Sequence, residues 1–280
     1  MLLVLVLVVV GVALVYGYGE FRWNSETARL RARLDARWLP SPAKRVDVRE
    51  LERLPAPVQR YLRTVLAADQ LIVAAVTLEQ EGTFNLKEDD PRWTRFTATQ
   101  RVITRQPGFD WNARIVILPG LFVRVHDGYG AGEGYLKAAV LGLLSKANLR
   151  DAGDLAVGEL MRFLAEAVWY PTLLLPSQGT HWTVVDNHSA RATFKDGSVE
   201  TSLLFHFQPD GLVDTVRAES RSRGSGPGAG SMPWECRLWN YQKRDGLLIP
   251  LEGEAAWVTP TGLKPYWRGR ITRLAYDVST

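Results

Sequence analysis

The sequence predicts an α+β protein in which a large, curved antiparallel sheet of half-barrel type wraps an enclosed helix, preceded by an N-terminal transmembrane helix. Three observations lead there. An unbroken apolar run opens the chain, much of the segment beyond Leu71 alternates apolar and polar residues, and one stretch from Asp154 to Tyr170 is apolar nearly all round. Of 280 residues 46% are hydrophobic and 23% charged, which excludes disorder. A net charge of +4 spread over the whole chain is too weak to indicate nucleic acid. The single cysteine, Cys236, rules out an intramolecular disulfide and any multi-cysteine metal site.

Residues 1–18 carry no charged side chain, and 16 of the 18 are apolar. At ~1.5 Å per residue such a helix spans roughly 27 Å, enough for a bilayer core. No Lys or Arg precedes the run, where a cleaved signal peptide has a basic region, and its exit reads Tyr16-Gly17-Tyr18-Gly19-Glu20. Residues 1–19 are therefore expected to stay as a single-pass anchor. Arg22, Arg29, Arg31, Arg33 and Arg37 make residues 20–42 a basic juxtamembrane segment. Within it Asn24 to Trp38 reads as a helix, capped by Asn24 or Ser25 and ended by Pro40 and Pro42, with Leu30, Leu34 and Trp38 as a narrow apolar stripe. It suits either a helix lying on anionic headgroups or a solvated lead into the body. The side of the membrane stays open.

Residues 43–280 read as one α+β domain. A basic, helical connector over 43–54 leads to a second helix ending near Leu66, with Pro55 or Pro57 in its first turn. About ten strands follow between Leu71 and Asp277. Trp111, Ala113, Ile115 and Ile117 form one alternating set, and Val199, Thr201, Leu203, Phe205 and Phe207 another. Asp-Gly pairs at 127, 196, 210 and 245 are hairpin-turn signals. Pro171 closes the enclosed helix, and Gly224 to Gly230 is a glycine-rich loop between two strands.

The enclosed helix carries Glu159, Arg162 and Glu166 on one stripe, with Arg162 and Glu166 placed to pair at i,i+4. Charges in such a helix imply a structural network across the sheet or a polar end to a ligand cavity. His126 shares a strand face with Arg124 and can act as a base if Asp110 or Glu166 orients it, although no spacing demands this; Asp127 reads as a plain turn residue. On the C-terminal strands Arg217, Glu219, Arg221 and Arg223 share one parity, which reads as a solvated outer face, or alternatively as the lining of a cleft for an anion. His181 and His188 point to opposite faces of a strand, so with Asp186 they make no metal site. There is no nucleophile elbow, His-Glu-x-x-His or phosphate-binding loop, and no cofactor is expected.

The segments Leu54-Pro-Ala-Pro-Val-Gln-Arg-Tyr61, Pro107-Gly-Phe-Asp-Trp111, Met232-Pro-Trp234 and above all Arg162-Phe-Leu-Ala-Glu-Ala-Val-Trp-Tyr-Pro-Thr-Leu-Leu-Leu-Pro176 resemble those of an uncharacterised bacterial family of membrane-anchored proteins of unknown function. That resemblance covers nearly all of residues 50–277 and supplies no catalytic residue. The order of elements is also similar, more loosely, to the lipoprotein-carrier half-barrels of the bacterial envelope. This second likeness implies an apolar cavity for acyl chains, with the enclosed helix as wall or lid. The resulting expectation is a membrane-anchored protein that binds a lipid or other hydrophobic ligand through Trp111, Arg162, Phe163, Glu166, Trp169 and Tyr170. The alternatives are an envelope scaffold for an unidentified protein partner, and an enzyme on a membrane-derived substrate using Glu166 or His126.

Overall fold

Thirteen strands form a single antiparallel sheet in the computed structural model, which describes residues 1–38, 42–85, 92–223 and 230–278. The helix stop expected at Pro40 and nearly all of the glycine-rich loop expected from Gly224 lie outside the described residues. The first run of strands comprises β1 (Ala75–Asn85), β2 (Trp93–Ile103), β3 (Gly108–Leu118), β4 (Leu121–Gly130), β5 (Glu133–Val140) and β6 (Leu144–Asp151). The second comprises β7 (His181–Val184), β8 (Ser189–Asp196), β9 (Val199–Phe207), β10 (Val213–Ser222), β11 (Ser231–Arg244), β12 (Leu247–Thr259) and β13 (Gly262–Asp277). Each run is a meander, and the two join where the first strand pairs with the last, Ala75 opposite Asp277. The order across the sheet is β6-β5-β4-β3-β2-β1-β13-β12-β11-β10-β9-β8-β7. The strands outnumber the ten expected because β7 has only four residues and β6 is almost wholly exposed, so neither shows a clear alternation.

Among the described residues three α-helices accompany the sheet: α1 (Leu2–Asp35), α2 (Ala56–Val65) and α3 (Asp154–Ala165). The apolar opening and the expected juxtamembrane helix are one continuous element, with no cap at Asn24 or Ser25. Burial of Gly19, Trp23, Thr27 and Leu34 against the sheet holds the helix through that point, and tertiary packing outweighs the local capping preference. The connector expected to be helical forms a 3-10 turn, Val48–Arg53, started by the Asp47 side chain accepting from the Arg49 N–H at 3.1 Å. Pro57 lies in the first turn of α2, whose Val58, Tyr61, Leu62 and Val65 face the core. The long enclosed helix is α-helical only to Ala165; beyond it the chain tightens into 3-10 turns at Glu166–Trp169 and Pro171–Leu174.

Asp127 and Gly128 sit inside β4 and make no turn. Gly128 is there for close approach: a Cβ at that position would lie 2.5 Å from the Tyr135 ring and closer still to the Phe109 carbonyl oxygen. The neighbouring hairpin turns instead at Ala131 and Gly132, both at positive φ. The other three Asp-Gly pairs do mark chain reversals, and Asp245-Gly246, with φ 47 and 86, has the left-handed pair that a two-residue hairpin favours.

The sheet curls around α3. That helix packs against both β5 and β9, which stand nine strand spacings apart in the sheet order. At ~4.8 Å per spacing a flat sheet would separate them by about 43 Å, far beyond the width of one helix. The inner face thus wraps α3 while α1 lies on the outer face of β2, β3 and β4.

Candidate functional site

Between α3 and the inner face of the sheet lies a cavity of about 340 Å³, within the ~300–1,000 Å³ range of small-molecule sites. Its walls are mostly apolar. Trp111 and Ile115 of β3, Val125 of β4, Leu136 and Ala138 of β5, Trp234 of β11, Trp267 of β13 and Val168 beyond α3 supply them. The space exists because α2, α3 and the 3-10 turns fill only part of the trough; toward the turn joining β3 to β4 the lining consists of strand residues, ending at exposed Ile117.

Four charged residues, Asp127, Arg162, Glu166 and Arg221, also line the cavity. Arg162 bridges two of them: its Nη1 donates to Asp127 Oδ2 and its Nε to Glu166 Oε1, each at 2.7 Å. The guanidinium also lies 5.0 Å from the ring centres of Phe109 and Trp111. The Gln100 amide donates to Glu166 Oε2 at 2.6 Å. Burial works against the Arg162 charge, but Glu166, Asp127 and Glu159 outweigh it and raise its pKa. Burial likewise raises the Asp127 carboxyl, with Arg162 pulling the other way.

Arg221 is less tightly held. It lies 3.5 Å from Glu159 and 4.9 Å from the Trp234 ring centre. Glu159 is 5% exposed, and burial pushes its carboxyl up to about 8 against the pull of Arg221. The Glu159 Oε2 atom and the Trp169 indole N–H, both buried, have no hydrogen-bond partner among the described residues. The site therefore offers an apolar chamber with a charged, hydrogen-bonding flank where α3 meets the sheet.

Of the residues expected at the site, the structure brings Trp111, Arg162, Glu166 and Trp169 together around the cavity. Phe163 and Tyr170 lie outside its lining: fully buried, they pack ring against ring at 5.8 Å, with Phe194 beside Phe163. Their stretch is a winding helix end, so nearness in sequence to Arg162 and Trp169 does not place them on the cavity side. Parity puts Arg221 on one face with Arg217 and Glu219, a solvated outer face or a cleft lining, but a bulge between Ala218 and Arg221 shifts the register and turns Arg221 alone of the three into the cavity. Asp127, read as a turn residue, is part of the charged flank.

His126 belongs to another environment. Its Nδ1 is 2.7 Å from Asp110 Oδ1 and its Nε2 3.0 Å from Thr27 Oγ1, with the Trp23 indole stacked on the ring at 4.7 Å. Asp110 also accepts from Arg31 Nε at 3.1 Å and from the Tyr135 hydroxyl at 3.3 Å. The order carboxylate–imidazole–hydroxyl has the form of a nucleophilic triad. Here, however, all three groups are sealed between α1 and the sheet, and the Thr27 hydroxyl donates to the Trp23 carbonyl at 2.9 Å. The arrangement fastens α1 to the sheet, and Glu166 is on the opposite face. Asp186 accepts from the His188 N–H in a turn, and among the described residues no three His, Cys, Asp or Glu side chains gather as a metal site.

Solved structures include a similar chain, a LolA superfamily protein from Nitrosomonas europaea, at 9% identity with a TM-score of 0.42, over 80% of this chain and 94% of that one. No curated protein sequence matches. Residues 52–276 match a family described as a family of unknown function, DUF6920. That span takes in α2, every strand and α3, and the chain belongs to this family.

Proposed function

We propose that this is a membrane-anchored protein that binds a lipid or another amphiphile with an apolar chain, held in the cavity between α3 and the curled sheet. The single observation that carries the reading is the chamber itself. Most of its wall is apolar, and where α3 meets the sheet it carries the Arg162–Asp127–Glu166 bridge, Arg221 and a Trp169 N–H that has no hydrogen-bond partner among the described residues. Apolar walls with a few placed polar groups recognise an amphiphile better than a wholly polar metabolite.

Helix α1 supports the anchoring half. It is long and apolar enough to cross a membrane, and Leu2–Val10 are all exposed. Its second half is fastened to the body, which suits an anchor that is kept.

The test is mass spectrometry of an organic extract from protein purified gently out of membranes, comparing wild type with Ala138→Trp. Ala138 is a half-buried cavity-wall residue, and the indole fills space without removing a core contact. A lipid in near-stoichiometric amount, lost in a variant of unchanged melting temperature, is the expected result. An extract empty for both proteins refutes the reading and moves weight to a scaffold for a protein partner.

A further inference from the structure

The cavity and α1 share one end of the molecule. Around Tyr16 and Gly19 the helix passes the turns that join β3 to β4 and β5 to β6. The Tyr16 hydroxyl donates to the Gly120 carbonyl, the Tyr16 ring lies 6.2 Å from that of Phe122, and Arg22 donates to the Leu143 carbonyl at 3.4 Å. Gly142 packs on the helix so closely that a Cβ there would be 2.8 Å from the Gly19 carbonyl oxygen. Everything N-terminal to this crossing is the apolar, exposed half of α1. The two turns therefore lie level with the point where the chain reaches the bilayer.

Their composition suits that position. Residues 117–121, Ile-Leu-Pro-Gly-Leu, and 141–146, Leu-Gly-Leu-Leu-Ser-Lys, contain no acid and one base. Leu118 is 60% and Leu144 68% exposed, the two most exposed leucines outside α1 among the described residues. Ile117, at the base of the first turn, is both exposed and part of the cavity lining. Large apolar side chains beside Lys146 and Arg22 fit a surface of lipid tails edged by anionic headgroups.

We infer that the β3–β4 and β5–β6 turns dip into the bilayer surface beside α1, so that the cavity opens directly onto the lipid. The proposal rests on α1 being a membrane anchor. It gives the ligand a route that avoids water: a chain passes from the leaflet past Ile117 into the chamber, with its polar end reaching the charged flank at α3.

The experiment uses the full chain reconstituted in phosphatidylethanolamine/phosphatidylglycerol vesicles. An environment-sensitive fluorophore is attached to Leu118→Cys, Leu144→Cys, Leu7→Cys or Val184→Cys, and nitroxide lipids serve as quenchers. Val184, 62% exposed on β7, reports a surface away from these turns. Cys236 is half-buried in the cavity wall with its thiol pushed up to about 12, so it reacts slowly, and labelling of wild type gives the background to subtract. Fluorophores at 118 and 144 are expected to lose most of their emission to the nitroxides while the one at 184 keeps it. If 7 is quenched but 118 and 144 behave like 184, the inference is overturned and the anchor stands. If 7 also escapes quenching, the anchor fails and the inference with it.

Discussion

At the scale of single residues, Glu159 makes the most direct prediction. Its carboxyl, 4.5 in the unfolded chain, is pushed up to about 8 in the fold by burial, with Asp127 adding and Arg221 opposing. Between those values the native state holds a proton that the unfolded chain has released, so stability falls as pH rises from about 4.5 to about 8. Thermal melts from pH 5 to 8 should therefore show a declining melting temperature, and Glu159→Gln should flatten that decline. Asp110 is the converse case, a buried carboxylate whose partners are all supplied: Arg31, His126 and Tyr135. Asp110→Asn leaves those donors mispaired and should cost ~1–3 kcal/mol in denaturant melts. It should also loosen α1, read as faster hydrogen exchange from Trp23 to Leu34. Residue types predicted such networks well, and the i,i+4 pair of Arg162 and Glu166 could be read from spacing alone. Asp110–His126–Thr27 could be seen only in part, because Thr27 comes from an element whose docking no local pattern announces.

At the scale of elements, period-two alternation revealed the strands wherever one face meets the core and the other does not. β9 alternates without a fault, whereas β6, exposed along its length, gives no such signal. The errors arise where backbone geometry breaks the rule. One bulge in β10 parts Arg221 from Arg217 and Glu219 and turns it into the cavity, and one close approach put an Asp-Gly pair in mid-strand. Gly128→Ala tests the second point. The added methyl meets the Phe109 carbonyl and the Tyr135 ring, and backbone cannot yield as a flexible side chain would. A loss of at least ~1–3 kcal/mol is expected, against almost none for Gly132→Asn, where the hairpin needs positive φ but has open space. The start of α2 was legible from Pro55 and Pro57, but α3 ends at Ala165, well before Pro171, and α1 runs on through Asn24 and Ser25, where local propensity favours a start.

At the scale of the whole molecule, fold class could be read because a sheet with one buried face and a helix apolar all round have few ways to satisfy each other. The chamber could not, because an unfilled volume depends on where the trough is left uncovered, and no residue encodes that by itself. The joining of the two meanders was equally hidden: β13 lies between β1 and β12, at the middle of the sheet order. This placement has a consequence for biosynthesis. A chain made from its N-terminus completes α1, the proposed anchor, while the strand that completes the sheet is still to come. Until β13 arrives, β1 and β12 each present an unpaired edge, and the nascent body is open to pairing with its neighbours. Ribosome-bound chains stopped at Thr259 should be far more sensitive to protease and to aggregation than chains stopped after Thr280 with a linker spanning the exit tunnel. The sheet thus stays unfinished until the last strand is made, long after the proposed tether has left the ribosome.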